Sequence, residues 1–84
     1  MKYYLCKILE RNGDLEYSDK FLFCTKGSPE KYAHKIASEW RGYKEKFDKE
    51  YGGYWHDCTL IFMEGYKEIS KNDFDVLQKY IAVL

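Results

Sequence analysis

His56 and Cys58, in the stretch "YWHDCTLIFME", are the pair in this chain whose types and spacing could do covalent chemistry. A thiol becomes a nucleophile when a neighbouring base takes its proton and a third group orients that base. Two residues apart on an extended strand, imidazole and thiol lie side by side on one face. No further group is spaced to orient them, and His34 offers no better arrangement with any cysteine. The other enzyme signatures are missing as well. The chain therefore reads as a non-enzyme with no catalytic residue. The same residues pose a metal question, since Cys6, Cys24, His56 and Cys58 could meet if three strands were neighbours. Zinc sites normally present paired ligands about two to four residues apart, and His56-x-Cys58 is a single pair. Small thiols filling gaps under aromatic rings account for the pattern. No metal and no cofactor is expected, and the cysteines are expected to be structural.

Binding chemistry has more to work with. Arg41, Lys44, Lys46 and Lys49 crowd one segment beside Tyr43, Tyr51, Tyr54 and Trp55, a basic-aromatic combination that suits single-stranded nucleic acid. Glu39, Glu45, Asp48 and Glu50 interleave with them, and Glu45 to Lys49 is the spacing of an ordinary pair on a solvated helix surface. The stretch "YGGYW", residues 51–55, sets three rings around a double glycine. It runs from an expected helix into a strand and lacks a Lys-Ser/Thr pair, so it is not a phosphate cradle. The glycines release the chain from the helix and permit positive φ. Tyr43, Lys44, Tyr51, Tyr54 and Trp55 are read together as a partner-binding rim.

Composition narrows the classes. Nine Tyr, five Phe and two Trp in 84 residues are more ring surface than so small an interior hides, which favours an interacting surface. Lys plus Arg and Asp plus Glu both number 14, giving a net charge of zero. That lowers the expectation of nucleic-acid binding, which rests on neutralising phosphates. It also removes a safeguard against self-association, so a homodimer is a candidate state. Three cysteines without a Cys-x-x-Cys pair, Lys7 interrupting the apolar start, and no span-length apolar run indicate a soluble, cytoplasmic, reduced protein with no membrane partner.

The elements that would position these residues form one domain, residues 1–84. "YYLCKILERNGDLEYSDKFLFCT" reads as a hairpin turning at Asn12-Gly13, with type I′ geometry. Ser28 as N-cap and Pro29 at the first helical position open a helix whose stripe is Tyr32, Ala33, Ile36, Ala37 and Trp40. That helix loosens near Gly42 and ends before Gly52. Trp55 to Met63 reads as one continuous third strand, Gly65 turns the chain, and "YKEI" is open to a short fourth strand or an extended lead-in. Ser70 caps a final helix, with Asp73 at N3 and a stripe of Phe74, Leu77, Ile81 and Leu84. The fold class is α+β with order ββαβα, an antiparallel sheet ordered two-one-three, and both helices on one face. Phe74, Leu77 and Ile81 are expected to share a core with Ile36 and Trp40.

Short ββαβα chains rich in Tyr and Lys and without a catalytic signature resemble small proteins of phages and other mobile elements. Anti-CRISPR proteins and related inhibitors of bacterial defence are the characterised examples. The resemblance is one of size, composition and element order; "YKEISKNDFDVLQKYI" is in addition similar to the tail of small bacterial proteins. It implies a protein-binding inhibitor acting by stoichiometric, non-covalent binding, and it carries over no functional residue. The alternative is a small nucleic-acid-binding regulator using the basic-aromatic surface.

Overall fold

The computed structural model describes residues 1–84. Five strands and two helices follow in the order β1 (Lys2–Asn12), β2 (Leu15–Thr25), α1 (Pro29–Ser38), β3 (Phe47–Asp48), β4 (Gly53–His56), β5 (Thr59–Ile69) and α2 (Lys71–Leu77). They build one antiparallel α+β sheet in the order β2-β1-β5-β4-β3. The expected three-strand order holds for its first two members and for β5, which returns beside β1.

The remaining differences have local causes. The stretch read as one third strand is a hairpin. His56 pairs with Thr59, and Asp57-Cys58 forms a two-residue turn in which Asp57 takes a φ of 57°. Aspartate tolerates that left-handed conformation without the glycine that would have advertised a turn. Gly65 does not turn the chain, because β5 runs on through "YKEI" to Ile69 with only a register shift opposite Lys7/Ile8. In the first hairpin Asn12 pairs with Leu15, so the loop is Gly13-Asp14, one residue later than Asn12-Gly13. Gly13 has a φ of 60° and Asp14 is not in the positive-φ region. That is the pattern of a type II′ turn rather than a type I′ turn.

The helix starts are as expected. Ser28 Oγ accepts the Lys31 N–H at 3.3 Å and Ser70 Oγ accepts the Asp73 N–H at 3.0 Å. Helix α1 stops at Ser38, well before Gly42, and the segment read as its loosened continuation is a loop leading into β3.

The main core lies between α1 and one face of the sheet, called here the inner face. Tyr4, Cys6 and Ile8 of β1 point there, with Phe21 and Phe23 of β2, Tyr54 of β4, Ile61 of β5, and Ala33 and Ala37 of α1. Tyr32 stacks on Phe23 at 4.7 Å and Phe23 on Tyr4 at 5.2 Å, while Trp40 meets Phe21 at 6.0 Å. Small alanines let the helix approach, and the rings supply the buried area. Trp40 also donates its indole N–H to Glu10 at 3.0 Å.

Helix α2 lies on the other side, contrary to the expectation of two helices on one face. Its buried residue, Phe74, packs on Tyr3 at 4.8 Å, and Tyr3 alternates away from Tyr4. Phe74 therefore does not share the core of Ile36 and Trp40. The helix ends at Leu77, so Ile81 and Leu84 lie beyond it. The tail instead runs parallel to the edge of β2, where the Leu22 N–H donates to Ala82 O at 2.8 Å and the Leu84 N–H to Leu22 O at 2.9 Å. Seven helical residues are too few to hold alone, and packing on Tyr3 together with this edge pairing secures them. No helix is long and apolar enough to cross a membrane.

Candidate functional site

The five residues read as one rim fall on two surfaces. Tyr54 and Trp55 are consecutive on β4, so their side chains leave opposite faces of the sheet. Tyr54 is 8% exposed and belongs to the inner core. Trp55 projects on the outer face and meets Tyr51 edge-on at 5.5 Å. Lys44 and Tyr54 line a cleft on the inner side, and Tyr43 stands exposed on the loop between α1 and β3.

Asp48 organises the outer pair. Its Oδ2 accepts the Trp55 indole N–H at 3.0 Å, and its Oδ1 accepts the backbone N–H of Glu50 at 2.9 Å and of Tyr51 at 3.3 Å. The Trp55 bond and then the Tyr51 N–H hold the carboxyl below its ordinary value, because both favour the ionised form. The glycines of "YGGYW" act separately. Gly52 takes a φ of 74° in the turn, whereas Gly53 lets β4 close on β5. A Cβ at Gly53 would stand 2.6 Å from Ile61 O and 3.1 Å from Leu60 Cδ1.

Below Trp55 the outer face continues as an apolar strip. Trp55 sits opposite Leu60, and Leu9 opposite Phe62. Arg11 lies 5.2 Å over the Phe62 ring. Charged pairs flank the strip: Lys7 with Glu64 at 3.1 Å and Arg11 with Glu16 at 2.9 Å. Helix α2 covers this face only at its Tyr3 end. Leu60 is itself buried, while the half-buried Leu9 and Phe62 escaped the sequence reading of a rim. Ile8 and Leu9 are consecutive apolar residues, so no alternation marked Leu9 as facing outward, and the hidden turn at Asp57-Cys58 obscured which residues of β4 and β5 would join it.

The inner side holds a cleft of about 670 Å³ between one flank of α1 and the returning loop. The Glu45 N–H donates to Ser38 O at 2.9 Å and ties the loop to the helix end. Lys31 and Lys35 stand on the helix bank, Lys44 and Lys46 on the loop bank. Tyr54 and His34 are joined at 3.0 Å between the phenol oxygen and Nδ1. Burial pushes the Tyr54 phenol above its ordinary value. Phe47 is 45% exposed and is held edge-on by His34 at 5.7 Å and Tyr54 at 5.4 Å. Glu39 and Glu45 also line the cleft. The ion pairs of the molecule engage Lys2, Lys7, Arg11, Arg41 and Lys71, and none of the four cleft lysines. Such an arrangement can hold an anion.

Thiol and imidazole are not brought together. His56 is fully buried, with its Nε2 3.0 Å from Ala37 O, the contact of an N–H donating to a helix carbonyl. Cys58 is exposed in the turn, a correction to its reading as a buried strand residue, while Cys24 is half-buried. Cys6 is buried, and burial raises its thiol to about 11, well away from the thiolate. No three His, Cys, Asp or Glu side chains are grouped to hold a metal ion. Comparison with protein-family models, with curated proteins and with solved structures finds no match to this chain.

Proposed function

We propose that the protein is a non-enzymatic binding module that engages a protein partner through the outer face of its sheet. A small inhibitor or adaptor would act in this way, by stoichiometric occupation rather than by turnover. The resemblance to mobile-element proteins makes a bacterial defence complex the partner class to test first. One observation carries the reading: an aromatic and aliphatic strip, Tyr51, Trp55, Phe62 and Leu9, runs along a sheet face whose covering helix reaches only the Tyr3 end. Tyr51 is 58% and Trp55 38% exposed. Aromatic anchors beside flanking ion pairs are the usual make-up of an interface centre and its polar rim. A second copy of the chain is the other candidate occupant.

The test is affinity capture from nuclease-treated bacterial lysate, with the captured partner then titrated against purified protein. Tyr51→Ala and Trp55→Ala should each weaken binding by about 2 kcal/mol or more, roughly 30-fold in Kd. Their melting temperatures are measured alongside, because Trp55 also holds Asp48. Tyr54 is unsuitable as a probe, since its truncation would empty part of the core. Sedimentation of the protein alone separates a partner from a homodimer. Unchanged partner affinity and unchanged sedimentation in both variants would remove the proposal.

A further inference from the structure

We infer that the cleft between α1 and the loop before β3 binds single-stranded nucleic acid, with phosphates along the lysines and a base against Phe47. The site lies on the inner side, so the inference is independent of the sheet-face proposal. Its starting point is a set of charges without partners. Lys31 and Lys35 face Lys44 and Lys46 across the cleft, and no carboxylate pairs with any of the four. In the sequence the loop lysines look neutralised, because Glu39, Glu45, Asp48 and Glu50 interleave with them on what reads as a solvated helix surface. The chain forms no helix there: α1 ends at Ser38 and residues 47–48 are a strand. The pairing that discounted nucleic acid is therefore lost, and helix and loop lysines converge instead. Zero net charge on the whole chain does not oppose this, because what a phosphate meets is the local field.

The second component is the ring. Phe47 is 45% exposed yet fixed edge-on by His34 and Tyr54, so it is pre-oriented. Tyr43, 62% exposed, stands beside Lys44 on the same loop. Ordered rings beside a lysine-lined track form the stacking platform and electrostatic channel of single-strand binding. The ring also selects against duplex, whose bases are stacked on one another and cannot reach it. Between the banks, the Tyr54 phenol oxygen and His34 Nδ1 are joined at 3.0 Å, which fixes the imidazole beside Phe47. Glu39 and Glu45 reduce the field without cancelling it, being two carboxylates against four ammonium groups. A long acidic peptide would satisfy the lysines but would make no use of a fixed, exposed phenyl face.

The experiment is fluorescence anisotropy with a labelled single-stranded oligothymidylate, over a range of salt concentrations. Three or four phosphate contacts predict a slope of log K against log salt of about −2 to −3. Lys35→Gln with Lys46→Gln should weaken binding about tenfold or more and make the slope shallower by about 1.4. Phe47→Leu keeps an apolar group against Tyr54; it should weaken binding several-fold and leave the slope unchanged. Lys67→Gln with Lys79→Gln, away from the cleft, should change neither. Duplex of the same sequence should bind more weakly than the single strand. No binding at low salt, equal binding of duplex, or equal loss in the Lys67/Lys79 variant would each overturn the inference. Displacement by polyglutamate as effective as by unlabelled oligonucleotide, with Phe47→Leu binding normally, would instead assign the cleft to an acidic peptide. Tyr51→Ala should retain full oligonucleotide affinity, so failure here and failure of the sheet-face proposal are separable.

Discussion

Replacing Gly53 with Ala should destabilise the protein sharply, although the change adds one methyl group. The added Cβ would lie 2.6 Å from Ile61 O, 2.9 Å from Phe62 Cβ and 3.1 Å from Leu60 Cδ1. The first two distances are shorter than real Cβ contacts, and the first is to backbone, which cannot swing aside as a side-chain tip can. Strand β4 must then lift from β5, and β4 is short, pairing with β5 only through Tyr54, Trp55 and His56. Overpacking of this kind costs about 1–3 kcal/mol. In a domain of this size that lowers Tm by on the order of 5–20 °C. The control is Gly65→Ala, where no atom lies within 4 Å and φ is not positive. There the loss of unfolded-state freedom should leave stability unchanged or raise it by about 0.4–1 kcal/mol. Thermal unfolding followed by circular dichroism, with urea titration as a second measure, reads both. If Gly53→Ala melts with the parent protein, or Gly65→Ala falls as far, the close approach of β4 and β5 described here is wrong.

Phe74→Ala should cost about 3–5 kcal/mol. Because α2 cannot persist alone, hydrogen-exchange protection of the Leu22 and Leu84 amides should be lost together while β1 stays protected; continued protection of Leu84 would show the tail to be held independently. Asp48 is held below its ordinary value of 3.8, chiefly by the Trp55 indole N–H. A depressed carboxyl adds stability that is fully present above 3.8 and is lost as pH falls through the folded value. The Trp55 indole proton shift should accordingly titrate with a midpoint below 3.8, and Asp48→Asn should abolish that titration. At pH 8 a thiol reagent should modify Cys58 promptly, whereas Cys6, raised to about 11 by burial, should react only on unfolding. Rapid modification of Cys6 in the folded protein would contradict its placement.

Both helix starts were legible because a cap is settled within four residues: Ser28 with Lys31, and Ser70 with Asp73. The α1 stripe was legible for a similar reason, since Ala33 and Ala37 recur at the helical period and do face the core. The candidate site was less legible. Tyr51, Tyr54 and Trp55 are close in sequence, but β pairing sends Tyr54 inward and Trp55 outward, and a one-residue difference in register would exchange them. The lysines of the cleft come from two separate segments, the helix with Lys31 and Lys35 and the loop with Lys44 and Lys46, joined when Ser38 O takes the Glu45 N–H.

Composition and local pattern alone determined that this chain is a small α+β domain with a leading hairpin, two capped helix starts and more aromatic surface than it can bury. Caps, periodicities and amounts of ring surface are properties of neighbouring residues or of the whole chain, so they survive without a structure. Tertiary structure decided the turn at Asp57-Cys58, the placement of α2 opposite α1, the division of the aromatics between two faces, and the unpaired state of the cleft lysines. Each of these depends on which strand lies beside which. That choice is made by non-local burial, here the fit of Gly53 against β5 and of Phe74 against Tyr3, which no window of adjacent residues contains.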